Sequence, residues 1–136
     1  MSIDITWRRG DGAASVSTIA ELDAMLDTIS QAHTEQMPYC VTLVAPGGAE
    51  FPVMLGICIG RPDRSLGYHV AADGSAWGYQ PDLEPGPAFT FGYAGTPTDA
   101  WPERTRVSDA TARQAARQFL TSGGQRPPAL AWEAVE

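Results

Sequence analysis

The sequence predicts an α+β fold: one domain over residues 1–136, with a largely antiparallel β-sheet and two α-helices in the order β-α-β-β-β-β-β-α-β. Three observations predict it. Short apolar runs recur with a period of two, two longer stretches have a helical period and cap signals, and Gly- and Pro-containing turns separate them. Taking the elements in order, Ile3, Ile5 and Trp7 alternate with Ser2, Asp4 and Thr6, the pattern of a half-buried strand. Arg8-Arg9-Gly10-Asp11-Gly12 then reads as a turn or short loop.

Thr18 and Glu21 have capping-box spacing, and Ile19, Leu22, Leu26 and Ile29 follow at helical spacing. The helix runs about four turns, ends near His33 and stops before Pro38. Tyr39 to Ala45 and Phe51 to Gly60 form a hairpin around Pro46-Gly47-Gly48. In the second strand Phe51, Val53, Leu55, Ile57 and Ile59 share one face, and Met54, Gly56 and Cys58 the other. A strand apolar on both faces is central and covered on both.

Ser65 to Ala71 is the next strand, Asp73-Gly74 a hairpin turn, and Ala76 to Gln80 the return, with Trp77 and Tyr79 on one face. The prolines and acids of Pro81 to Pro87 make a loop. Phe89, Phe91 and Tyr93 alternate as a strand, and Gly95 to Thr105 reads as a long loop. Ser108 and Asp109 cap a second helix whose Ala112, Ala115, Ala116, Phe119 and Leu120 face inward. Gly123-Gly124 ends it. Ala129 to Val135 is the final strand.

The chain of 136 residues carries a formal net charge of −7, and each of its basic residues is Arg. The missing Lys reads as compositional bias of the source genome. The acidic balance argues against a nucleic-acid binder, which needs a clustered basic footprint, and against attachment to an anionic membrane surface. Met1-Ser2-Ile3-Asp4 is no signal peptide, and no segment approaches the roughly 20 apolar residues of a bilayer span. The chain reads as cytoplasmic. Cys40 and Cys58 lie in apolar runs and read as reduced, buried small hydrophobes, a disulfide being the lesser reading.

Residues that could do chemistry are few. His33 sits at a helix end. His69 is out of phase with Tyr68 and Val70, so it is exposed or turned toward a helix. Cys40 and Cys58 lack ligand spacing, and His69 with Asp73 makes no metal site. No nucleophile elbow, Walker loop or dinucleotide fingerprint occurs. The chain is therefore expected to be no enzyme and to need no cofactor and no metal.

One stretch stands apart. From Ser65 to Glu103 there is no Lys or Arg, while Asp73, Asp82, Glu84, Asp99 and Glu103 share it with seven aromatics. Such a segment suits a surface that meets something basic. It suits equally a hydrophobic sheet with solvated acidic turns. Trp77 and Tyr79 fit either core or interface. Trp101, in a polar loop between Asp99 and Glu103, is the best interface candidate, unless it folds back over the sheet. Asp82 and Glu84 are exposed on either reading.

The order of motifs resembles the Imm1 family of bacterial immunity proteins, found beside polymorphic toxins, many of them of the deaminase fold. The likeness runs from about Val16 onward. It rests on Ile19-Ala20-Glu21-Leu22-Asp23-Ala24-Met25-Leu26-Asp27 and on Phe51-Pro52-Val53-Met54-Leu55-Gly56-Ile57. Leu66-Gly67-Tyr68, Trp77-Gly78-Tyr79 and Phe91-Gly92-Tyr93 continue it. The closing helix Ala112 to Leu120, Thr121-Ser122-Gly123-Gly124, Arg126-Pro127-Pro128 and Trp132 complete it. Two departures are the doubled glycine at Gly124 and the first strand with Arg8-Arg9.

The resemblance implies a binding protein that neutralises a cognate toxin, with no catalytic residues to carry over and contacts that vary with the partner. The partner it implies is a protein toxin with a basic surface, and neither nucleic acid nor membrane. The candidate partner-binding residues are Trp101, Glu103, Asp99, Asp82, Glu84, Asp73, Trp77 and Tyr79. The competing reading is a small ligand-binding or enzymatic domain with an aromatic-lined pocket near His69 and Trp77.

Overall fold

Alternating apolar residues pair into one sheet, and two amphipathic helices close one of its faces. The computed structural model describes residues 2–8, 12–32, 38–45, 52–61, 63–93 and 96–135. Of the expected turn Arg8-Arg9-Gly10-Asp11-Gly12, the residues Arg9, Gly10 and Asp11 lie outside the described residues, as do the expected turn Pro46-Gly47-Gly48 and His33, Phe51 and Gly95.

The strands are β1 (Ile3–Arg8), β2 (Gly12–Val16), β3 (Tyr39–Ala45), β4 (Val53–Ile59), β5 (Gly67–Ala71), β6 (Gly74–Tyr79), β7 (Phe89–Tyr93), β8 (Thr96–Ala100) and β9 (Ala131–Ala134). The helices are α1 (Ile19–Ala32) and α2 (Asp109–Ser122), with a turn of 3-10 helix at Pro102–Thr105. The sheet order is β2-β1-β3-β4-β5-β6-β9, antiparallel throughout that path. The hairpin β7–β8 leaves it, joined to β3 by a parallel pairing of Tyr39 with Gly92. The α+β class and its two helices are as the sequence predicts.

Two strands were not expected. β2 is Gly-Ala-Ala-Ser-Val, a segment poor in strand formers. Pairing with β1 supplies what propensity lacks: Ser15 donates to the Asp4 carboxylate at 2.6 Å and Val16 is buried. β8 occupies much of the predicted loop Gly95 to Thr105. Pro97 reads as a breaker, but β8 is an edge strand, where a missing N–H costs no ladder bond.

Local chemistry explains the helix ends. The Thr18 hydroxyl accepts from Glu21 N at 3.1 Å, and the Glu21 carboxylate accepts from the backbone N of Thr18 (3.1 Å) and Ser17 (2.9 Å). These bonds hold the Glu21 carboxyl below its ordinary range. Ser108 caps α2 by accepting from Thr111 N at 3.1 Å. At the other end Gly123 takes φ 74°, and Gly124 N donates to Phe119 O at 3.0 Å.

Leu22, Leu26 and Ile29 of α1 and Ala112, Ala115, Ala116, Phe119 and Leu120 of α2 bury against Ile3, Ile5, Val41, Leu43, Leu55, Ile57 and Ile59 of the sheet. Ile19, placed on the same stripe by the sequence, is 42% exposed in the first turn. Within α2 Arg113 meets Asp109 at 3.1 Å, and across the helix pair Arg117 meets Asp23 at 2.8 Å and Arg113 meets Asp27 at 2.7 Å. The inter-helix pairs fix the packing of α1 on α2, with little stability from each.

His69 turns toward the helices, one of the two directions its phase allowed. It is buried, edge-on to Phe119 and Trp132, and Nε2 lies 2.8 Å from Gly124 O, so Nε2 carries the proton and donates. Nδ1 is buried with no hydrogen-bond partner among the described residues. Protonating it would bury an uncompensated charge, and desolvation accordingly lowers the His69 pKa from its ordinary 6.5. With the folded-state pKa depressed, the unfolded chain binds more protons below that pH, so stability falls as pH drops through 6.5 toward the folded-state value. Chemical denaturation across this window should show that decline in the wild type and a flatter curve in His69→Leu. Parallel curves would show that His69 does not contribute.

Candidate functional site

The face of the sheet away from the helices is only partly covered. Alternation sends Thr42 of β3, Met54 and Gly56 of β4, Tyr68 and Val70 of β5 and Trp77 of β6 to this side. The hairpin β7–β8 folds across one end. There Phe89, Phe91 and Ala100 bury with Cys40, Cys58 and Leu66 in a second, smaller core, with Trp77 packed against it. The cysteines are free and buried, and burial pushes the Cys40 thiol up to about 12.

Between hairpin and sheet runs a trough. Its middle is a hollow of about 110 Å³ lined by Met54, Gly56, Tyr68, Trp77, Phe91 and Tyr93 among others. Tyr68 and Trp77 face each other across β5 and β6 with ring centroids 4.5 Å apart. One end continues over Thr42 and Met54 to Thr6 and Trp7; the other passes Leu66, Trp77 and Phe91 to Thr98, Asp99, Trp101 and Arg104. Tyr93 is 56% and Trp101 69% exposed, so two large aromatics stand in solvent along one trough.

The cation-free stretch of sequence is not cation-free in space. Arg61 lies 4.9 Å over the Phe89 ring, Arg104 4.7 Å over Trp77, and Arg106 5.0 Å over Tyr79. Arg104 and Arg106 repeat with the same two-residue spacing as Trp77 and Tyr79, because the chain after the 3-10 turn runs beside the end of β6, where Gln80 N donates to Arg106 O at 2.7 Å. The arginines also brace the acidic loop. Arg106 Nε donates to Leu83 O at 2.8 Å, Arg64 Nη1 to Glu84 O at 2.6 Å, and Gly86 N to the Thr105 hydroxyl at 2.8 Å. Pro81 to Pro87 is thus held by its backbone, while the Asp82 and Glu84 side chains stay exposed.

Trp77, Asp99 and Trp101 come together at one recess, with Glu103 exposed on the adjoining 3-10 turn. Asp99 accepts from the Thr90 hydroxyl at 3.0 Å. Tyr79 lies half-buried under Arg106, beside the loop of Asp82 and Glu84. Asp73 is apart, exposed in the turn at the opposite end of the β5–β6 hairpin. Trp101 does not fold back over the sheet: its carbonyl accepts from Arg104 N at 2.8 Å, and the ring projects from that turn.

A pocket shared by His69 and Trp77 is not formed. The register pairs Tyr68 with Trp77 and His69 with Ala76, so the two side chains leave opposite faces of the sheet, and His69 is sealed under α2. The hollow lies on the Trp77 side alone. Sequence reasoning missed Tyr93, read only as part of its strand, and Tyr68. Counting outward from Asp73-Gly74 would have paired Tyr68 with Trp77. Among the described residues no helix is long and apolar enough to cross a membrane.

A family model described as Immunity protein Imm1 matches residues 10–134. No curated protein matches the chain.

Proposed function

The chain belongs to the Imm1 immunity protein family, and from that premise we propose that it binds and neutralises a nucleic-acid-editing toxin of the deaminase fold, without catalysis, in the cytoplasm of the cell that makes both. An enzyme that works on a nucleotide presents a basic groove to the phosphate backbone. A chain of net charge −7 is steered to such a groove. The observation that carries the reading is the recess of Trp77, Asp99 and Trp101. It offers a projecting aromatic with one acid, Asp99, beside it on a braced scaffold whose Arg104 is stacked on Trp77. Rigid aromatic anchors with acidic surroundings are what a tight inhibitor of a basic surface needs. The exposed acids Asp82, Glu84 and Glu103 add to that field, and Asp73 lies apart in the β5–β6 turn.

The direct test is co-expression with the toxin encoded beside this chain, scored by survival and by deamination of cellular nucleic acid. Protection with a stable complex supports the reading; toxicity unchanged by the chain removes it. Reversing Asp82, Glu84, Asp99 and Glu103 to Arg should slow association by about 10- to 100-fold at low salt and flatten its salt dependence. Stopped-flow association at two ionic strengths reads this out. An unchanged rate would show that the acids are solvated bystanders.

A further inference from the structure

The hollow at the centre of the open face has a floor that core packing does not explain. Three glycines in β4, β5 and β6 can be compared. A Cβ on Gly67 would sit 2.9 Å from Leu130 Cδ1, and one on Gly78 2.7 Å from the same atom, so both are glycine because Leu130 packs on the sheet there. A Cβ on Gly56 would meet nothing closer than 3.9 Å, at Cys40 Sγ and at Tyr68. Glycine inside a strand costs stability relative to any residue with a side chain. At Gly56 a Cβ would be accepted at ordinary contact distance, so the glycine is not forced by packing; it lines the hollow walled by Met54, Tyr68, Trp77, Phe91 and Tyr93.

The space has a size and a charge setting. About 110 Å³ lies between the roughly 30 Å³ share of a water and the roughly 150 Å³ of a cavity that accepts benzene, so it takes one apolar side chain. On this face Arg104 and Arg106 are already stacked on Trp77 and Tyr79, and Arg106 also bonds to loop carbonyls. Asp99 and, at the far end, Asp4 have hydroxyl partners in Thr90 and Ser15. The carboxylates remain available to a cation, and the arginines are committed.

Resting on the neutralising role proposed above, we infer that this hollow receives a long aliphatic side chain from the toxin, with a Lys or Arg near it pairing with Asp99 on the adjoining hairpin. Gly56 is then a specificity-determining position: its missing side chain is the receptor.

The test uses the full chain and the purified toxin encoded beside it, made inactive by substitution of its own catalytic residue. Gly56→Val should fold with an equal or higher Tm, because it adds a strand former whose Cβ meets Cys40 and Tyr68 at ordinary contact distance. It should bind the toxin at least 10-fold more weakly by calorimetry, with Gly56→Ala between it and the wild type. In NMR spectra of the wild-type complex the Trp77 and Trp101 indole signals should shift. The Trp132 indole, which donates to Pro127 O on the helix side, should not. If Gly56→Val fails to fold, Gly56→Ala and the indole shifts decide the matter. Undiminished binding by these variants, with wild-type protection intact, overturns the hollow and leaves the neutralising role standing. A wild-type chain that neither binds nor protects removes that role and this occupant together. Self-association of the wild type that Gly56→Val abolishes, with toxin binding unaffected, would assign the hollow to a second copy of the chain and overturn the inference.

Discussion

Replacing Trp101 by alanine is expected to weaken the toxin complex by about 2–4 kcal/mol, roughly 30- to 1,000-fold in affinity, while leaving the fold's stability within about 0.5 kcal/mol. The two effects separate because the ring does little for the free protein. It is 69% exposed, and its backbone is held without it: Arg104 N donates to Trp101 O at 2.8 Å, and Pro102 opens the 3-10 turn. An indole on a fixed backbone has only two rotatable side-chain bonds to order on binding, so most of its buried area appears as affinity. Trp101→Phe should recover part of the loss, because it keeps a flat apolar ring on the same fixed backbone. Calorimetry with the inactivated toxin and a thermal melt of each variant check both halves. Unchanged affinity for the alanine variant would move the interface away from this corner.

How much of this was legible in the sequence depends on the range of the interactions. Caps are local, and Thr18 with Glu21, Ser108 and Gly123-Gly124 act where their spacing placed them. The strands carried by alternating branched and aromatic residues were equally legible, since burial of one face sets period and register together. β8 was not, because Pro97 excludes a central strand but says nothing of an edge that only tertiary structure creates. The charge setting of the stretch from Ser65 to Glu103 was only partly legible for a related reason. Arg104 and Arg106 lie just past the end of the cation-free stretch, and the chain reverses to lay them on Trp77 and Tyr79. A segment's net charge is a property of sequence; the field at its surface depends on what folds over it. The candidate site was legible as a list containing Trp77, Asp99 and Trp101. It was not legible as a trough, because that depends on where the β7–β8 hairpin docks.

On the opposite face, Phe119→Ala is expected to lower stability by about 3–5 kcal/mol, the largest single effect on the fold. Phe119 is fully buried among the apolar residues that α2 and the sheet share, and its ring meets His69 edge-on at 6.1 Å between centroids. Removing the ring opens a cavity that the backbone cannot collapse around, because Phe119 O is fixed by the Gly124 N–H in the helix cap. Against a domain stability of about 5–15 kcal/mol, the loss is about a fifth or more, and urea unfolding should show a lower midpoint with an unchanged slope. The same cavity relieves the desolvation of His69, since Nδ1 then has room for water. The decline in stability below pH 6.5 should therefore be shallower in Phe119→Ala than in the wild type. Phe119→Leu keeps most of the volume and should lose about 1–2 kcal/mol with the pH dependence retained. A Phe119→Ala variant that lost stability but kept the full pH dependence would show that the ring fills space without keeping His69 dry. The trough lies across the sheet from this cavity, so the fraction of Phe119→Ala that remains folded should bind the toxin with wild-type affinity.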